Sequence, residues 1–320
     1  MRKRMGLVAF AFAALMTASL VRAEEWPTRP IRVIVPLSAG SALDIVPRIV
    51  FEELSKQLGQ PVIVENRPGA SGTIGGRAVA VADPDGYTLL AHSSAFVIAP
   101  STVASMPYDP IKDFAAVAAL GNLPNVLVVS PSKNIKTIKD LVALGKTRPI
   151  TFGSIGVGSP IQLAMERLRM SAGFQAQAIS FKGAPEAIVE TMTGRIDAYY
   201  SPLLPALSMI RDGKLIPLVV SSPMRSPALP NVPTSEEAGY PNSAYRFWLG
   251  IFAPAKTPPA VVAKLSKEIE IALKVPEVQQ KLAKLGVQPM SMGSAEFTDF
   301  VKKELVVNTE LAKAAGIAKQ

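Results

Sequence analysis

From Ile31 onward the chain alternates short apolar, β-branched runs with amphipathic helical patterns, and this alternation limits the fold more than any other feature. The runs Ile31–Val35, Val62–Glu65, Thr88–Ala91, Asn125–Ser130, Thr151–Phe152, Ala178–Phe181, Ile196–Tyr200 and Ile216–Ser221 read as strands. Helical spacing covers Asp44–Leu58, Ile74–Ala82, Thr137–Leu144, Pro160–Met170, Pro185–Thr193 and Leu204–Arg211. Strands interleaved with helices require crossover connections, so the pattern predicts parallel sheets covered by helices in an α/β architecture. Several helix starts are explicit. Ser159-Pro160-Ile161-Gln162 and Thr234-Ser235-Glu236-Glu237 read as capping boxes, and Thr257-Pro258 opens a long helix over Pro258–Leu273. Pro47 excludes Ser41 as the cap of the first helix if the ring is to avoid the preceding turn, which makes Asp44 the expected N-cap.

The N-terminus reads as a targeting segment. Met1-Arg2-Lys3-Arg4 is basic, Gly6 to Leu20 is apolar, and Val21-Arg22-Ala23 ends on a small residue, so a signal peptide cleaved after Ala23 and a periplasmic location are expected. Its removal lowers the net charge from +9 to +5, because Arg2, Lys3, Arg4 and Arg22 leave with no acid. The remaining positive charge is dispersed, and nucleic-acid binding would need a basic stripe or a recognisable module. The chain has no cysteine, which excludes disulfides, thiolate metal sites and a cysteine nucleophile. The length is enough for two domains.

Catalytic patterns are missing. Phe152-Gly153-Ser154-Ile155-Gly156 comes nearest to the nucleophile elbow Gly-x-Ser-x-Gly and fails at its first position. His92 is the single histidine, and "RPGASGTIGG" lacks the Gly-Lys-Ser/Thr end of a phosphate loop. No cofactor or metal is expected. What remains is a set of small-residue loops after strands: Leu37–Leu43, His92–Ala95, Ser154–Ser159 and Gly183–Ala184. Ligands of parallel sheets bind beyond the carboxyl ends of strands, and helix N-termini offer unpaired N–H groups to anions.

The stretch "WPTRPIRVIVPLSAGSALDIVPRIV", followed in order by "GQPVIVENRPGASGTIGG", "DPDGYTLL", "YDPIKDF", "FKGAPEAI", "GRIDAYY" and "GKLIPLVVSSPMRSPALPNVPTSEEAG", resembles the Bug receptors, the solute-binding proteins of tripartite tricarboxylate transporters. The resemblance spans the chain after the targeting segment. It implies a two-lobed periplasmic binding protein of type II, a Venus flytrap whose lobes are mainly parallel sheets. It also implies delivery of a small organic acid to a membrane permease, with no turnover. The expected lobes are residues 24–123 plus 249–320, and residues 124–248. By the same resemblance the ligand-binding residues are Leu37, Ser38, Ala39, Gly40, Ser41, Ala42 and Asp44 in the first loop and His92, Ser93 and Ser94 in the second. The other lobe would contribute Ser154, Gly156, Ser159, Phe181, Gly183, Ala184, Tyr200 and Ser201. Family members grip a carboxylate largely through backbone amides and ordered water, so the expected ligand is a small organic carboxylate held by a monomer. Ser201 stands where many members carry Asp, which argues against an amino-bearing ligand. Two other readings share the cleft: a receptor that presents its ligand to a membrane sensor kinase, and a periplasmic hydrolase, against which the failed serine motif counts.

Overall fold

The computed structural model describes residues 26–319, so the expected signal peptide lies outside the described residues. Two five-stranded sheets organise the chain. The first contains β1 (Ile31–Val35), β2 (Val62–Asn66), β3 (Thr88–Ser93), β4 (Phe114–Asn122) and β10 (Trp248–Pro254), in the order β2-β1-β3-β10-β4. The second contains β5 (Asn125–Val129), β6 (Ile150–Ser154), β7 (Ala176–Ser180), β8 (Ala198–Pro202) and β9 (Ile216–Val220), in the order β7-β6-β8-β5-β9. Each sheet is mixed rather than wholly parallel. β10 runs antiparallel to both β3 and β4, and β5 runs antiparallel to both β8 and β9. These reversed strands sit inside their sheets, covered on both faces, which is why every residue of β10 and β5 is buried.

Helices fill the crossovers: α1 (Ala42–Leu58), α2 (Thr73–Ala80), α3 (Ala95–Thr102), α4 (Ile138–Thr147), α5 (Pro160–Ala172), α6 (Ala184–Met192) and α7 (Leu203–Arg211). Three more, α8 (Pro259–Lys274), α9 (Pro276–Lys284) and α10 (Ser294–Ala314), follow β10. β10 brings Trp248 and Phe252 against Phe96 and Phe297, with ring centroids as close as 4.4 Å between Phe96 and Phe252. α10 is anchored at its start by Ser294, whose hydroxyl donates to the Ala116 carbonyl, whereas Leu311 near its end lies in the apolar core of the second sheet.

Three helix expectations need correction. α1 begins at Ala42 with Ser41 at its N-cap, not at Asp44. Asp44 lies at N3, where its carboxylate accepts from the Gly40 N–H, the Arg48 guanidinium and the Asn66 amide. That closure holds the extra turn, although Pro47 inside the helix leaves the Leu43 carbonyl without its usual donor. Around Thr234 both capping-box bonds form, Glu237 N–H to Thr234 Oγ1 at 3.0 Å and Thr234 N–H to Glu237 Oε2 at 2.9 Å. They close a turn and not a helix, because Gly239 turns to φ +98° and Pro241 follows. The helix expected over Pro258–Leu273 starts one residue later, with Pro258 at the N-cap.

"GRIDAYY" turns out to hold the second sheet together. Asp197, 2% exposed, receives two bonds from Arg148 at 2.7 and 2.8 Å, Lys133 at 3.1 Å, and the N–H and hydroxyl of Thr151. This ties the start of β6 to the start of β8. Arg148 and Lys133 are partly exposed and water can solvate them, so Asp197→Ala, which strands chiefly the Thr151 donors, should lose roughly 1–3 kcal/mol of unfolding free energy in urea titrations. A loss under about 1 kcal/mol would mean that the cluster is replaceable by water.

Candidate functional site

The loops expected to bind ligand follow the carboxyl ends of β1, β3, β6, β7 and β8. They face one another where the chain passes from one sheet to the other. The loop before α5 meets the end of α3: a Cβ on Gly158 (φ +71°) would collide with Thr102, so this close approach depends on glycine. Beside that contact lies a cavity of about 220 Å³ between the sheets. It is lined from the first sheet's side by Ala42 and Phe247, and from the second's by Asn125, Ile155, Ile161 and Leu203.

The first turns of α1, α5 and α7 all reach this cavity. In α1 the N–H groups of Ala42 and Leu43 have no acceptor among the described residues. α5 contributes the N–H of Ile161, since Pro160 has none and Gln162 donates to the Ser159 hydroxyl at 3.4 Å. In α7 the Leu203 N–H bonds the Pro124 carbonyl at 3.3 Å, leaving that of Leu204. Unpaired N–H groups and the positive ends of three helix dipoles thus point at one space. One polar side chain lines it. Asn125 is 3% exposed and its amide nitrogen has no partner among the described residues; the Ser41 hydroxyl, outside the lining, is also buried and unpartnered. Buried polar groups are normally hydrogen-bonded, so the Asn125 amide, placed on the cavity wall, is free to bond a ligand or water there.

The other expected residues fall into distinct places. Leu37, Ser38, Ala39 and Gly40 form an exposed loop. The Gly40 N–H is already taken by Asp44, 2.9 Å away, and Asn66 also holds the Leu37 carbonyl. Asp44 therefore acts as an internal anion that shapes the loop. Ser154, Gly156 and Ser159 form one polar turn: the Ser154 hydroxyl donates to the Gly156 carbonyl at 2.8 Å and lies 3.2 Å from the Ser159 hydroxyl. Phe181 extends that edge by donating its N–H to the Ser154 carbonyl, and Gly183 and Ala184 open α6 beside it. Ser93 and Ser94 are buried at the start of α3, and the Ser94 N–H bonds the Trp248 carbonyl. His92 lies below the loops, packed on Phe96 at 5.3 Å between centroids. Burial pushes its pKa down to about 4, so it is neutral at pH 7. Tyr200 and Ser201 are fully buried; burial raises the Tyr200 phenol, and the Ser201 hydroxyl donates to the Pro202 carbonyl. Sequence reasoning missed Asn125, Leu203, Leu204 and Phe247. Asn125 had one usable signal, its place directly after Pro124 at the first crossing between sheets.

Burial alone would raise the Asp44 carboxyl, but the Gly40 N–H, the Asn66 amide and Arg48 outweigh it and hold the pKa below the ordinary carboxylate range. The folded chain thus resists protonation more than the unfolded one. The network contributes fully above the ordinary Asp value of about 3.9 and loses its contribution as pH falls through the lowered value. Asp44→Ala should cost about 1–3 kcal/mol near neutral pH. In urea melts its deficit against the parent protein should shrink as pH falls below about 4; a deficit that stays constant down to pH 2 would show that the charge plays no part.

Comparison with known proteins places this geometry. The profile of the tripartite tricarboxylate transporter family receptors matches residues 46–317. Protein BugT of Bordetella pertussis is 33% identical over 309 residues, covering 95% of each chain. Among solved structures, Rpa4515 of R. palustris with adipate superposes with a TM-score of 0.79 at 29% identity, covering 92% of this chain and 100% of the other. MatC (Rpa3494) of Rhodopseudomonas palustris with bound malate gives 0.73 at 29% identity, covering 89% and 99%. The match along most of the chain, on two sheets with a cavity between them, shows that the protein belongs to the tripartite tricarboxylate transporter receptor family, the Bug/TctC solute-binding proteins.

Proposed function

We propose that the protein is a periplasmic receptor that binds a small organic carboxylate between its two halves and delivers it to a tripartite tricarboxylate-type permease. One observation carries this reading: the free N–H groups of three helix N-termini meet in a cavity between the sheets that no titratable side chain lines. A carboxylate supplies the acceptors these groups lack, and relatives have adipate and malate bound. The lobes in this reading are residues 24–123 plus 249–320, and residues 124–248. Strand membership supports that division, since β1 to β4 and β10 build one sheet and β5 to β9 the other. No described helix is long and apolar enough to cross a membrane.

The backbone cradle can be tested without disturbing the fold. Ala42 is the first residue of α1, where proline is favoured, and Ser41 before it has φ −72° and ψ 159°, the extended geometry that proline requires of its neighbour. Ala42→Pro therefore removes one unpaired N–H, putting the ring's Cδ in the hydrogen's place, and leaves the helix start intact. A hydrogen bond to a charged group contributes about 1.5–3 kcal/mol, so this variant should bind a carboxylate ligand roughly 10- to 150-fold more weakly by isothermal titration. Lys182→Ala, on an exposed loop, should bind as the parent does. The reverse result would mean that a side-chain cation holds the ligand. A thermal-shift screen of carboxylic acids supplies the ligand; one present at 100 times its dissociation constant adds about 2.7 kcal/mol. A protein that no carboxylic acid stabilises would sink the proposal.

A further inference from the structure

The cavity that receives the helix N-termini is as informative in what it lacks. Among the described residues, Asn125 is the one polar side chain lining it, and no Lys, Arg, His, Asp or Glu reaches it. Arg48, which holds Asp44 beside the first loop, is occupied: its Nε donates to Asp44 at 2.8 Å and its Nη2 to Asn66 at 3.0 Å. Proline removes further donors, because Pro160 stands first in α5, Pro202 caps α7 and Pro205 lies in its first turn. The remaining N–H groups and the Asn125 amide are enough for one carboxylate. Apolar surface is in excess. Ile155 and Leu204 both line the cavity and are still 40% and 38% exposed, and Leu37 and Val157 on the bordering loops are 41% and 44% exposed.

We infer that the ligand is a monocarboxylate with a compact apolar body, its carboxylate at the start of α1 beside Asn125 and its hydrocarbon against Ile155, Leu203, Leu204 and Phe247. The inference rests on the carboxylate reading above and narrows it. Two observations carry it. The buried amide of Asn125 has no partner, so a donor waits at one end of the space. Apart from Asn125 the lining side chains are hydrocarbon, and Ile155 and Leu204 stay in contact with water unless a ligand covers them. A second carboxylate would find no cation among the described lining residues and, beyond the start of α1, only the N–H groups of Ile161 and Leu204, and an incompletely paired buried charge is disfavoured. The size agrees as well: about 220 Å³ is below the roughly 300–1,000 Å³ of sites for drug-sized ligands.

Isothermal titration at pH 7 with hexanoate, adipate and hexanamide tests this, because the three share a six-carbon chain and differ only at its ends. Benzoate against terephthalate repeats the contrast for a ring-shaped body. The monoacid of at least one pair should bind tenfold or more tighter than its diacid, and hexanamide should bind more weakly than hexanoate. Ile155→Lys, on an exposed loop, offers a cation to the far end and should shrink the monoacid preference at least tenfold by improving the diacid. A parent protein in which neither monoacid binds more tightly than its diacid overturns the inference and leaves the carboxylate reading intact. Hexanamide equal to hexanoate would sink the carboxylate reading itself. Silence from both monoacids while malate or another small diacid binds also overturns the inference, and silence from every acid rejects both.

Discussion

Burial of one reversed strand inside each sheet is the constraint on which the rest of the architecture depends. β10 enters the first sheet between β3 and β4, and β5 enters the second between β8 and β9. An interior strand must be apolar on both faces, which accounts for the wholly buried Trp248–Pro254 and Asn125–Val129. Because β10 lies more than 120 residues after β4 in the chain, the first sheet can be completed only after the chain has built the second and returned. The crossings at Leu123–Pro124 and before Trp248 therefore lie side by side, and the cavity forms against them. The site is a by-product of sheet completion.

The loops are then fixed by charge held inside the protein. Asp44 and Asp197 are both buried acids with full sets of donors, one on each side of the cleft's framework. Asp44 uses up the Gly40 N–H and Arg48, groups that would otherwise be the obvious anchors for an external anion. Anion binding is thereby displaced along the helix to Ala42 and Leu43, whose N–H groups nothing in the chain competes for. A structural carboxylate at N3 thus sets where a ligand carboxylate can bind.

The alternation of apolar runs and helical patterns made most of the strands legible, because a strand covered on both faces must be a short apolar run. β4 and α3 escaped it. Ala95–Thr102 is apolar on all sides, so it has no helical periodicity, and the alanines of Phe114–Asn122 weaken its strand signal. The first helix boundary was misread because the cost of Pro47 was weighed without the Asn66 and Gly40 partners of Asp44, which are invisible until β2 is placed beside β1. Short motifs fared unevenly as guides to the site. "GRIDAYY" and "PTSEEAG" carry Asp197 and the Thr234–Glu237 pair, which brace the framework away from the cavity. Asn125, Leu204 and Phe247 come together only through tertiary crossings, and spacing along one chain contains no record of that.

α10 has a mechanical consequence. Its 21 residues make a rod ~31 Å long, pinned at Ser294 to the first sheet's strand β4 and at Leu311 to the apolar core of the second. A rigid link with its ends in two bodies resists separation along its axis far more than rotation about it. Relative movement of the halves is thus channelled into a twist, with the helix as axle, unless Leu311 is first drawn out of its core.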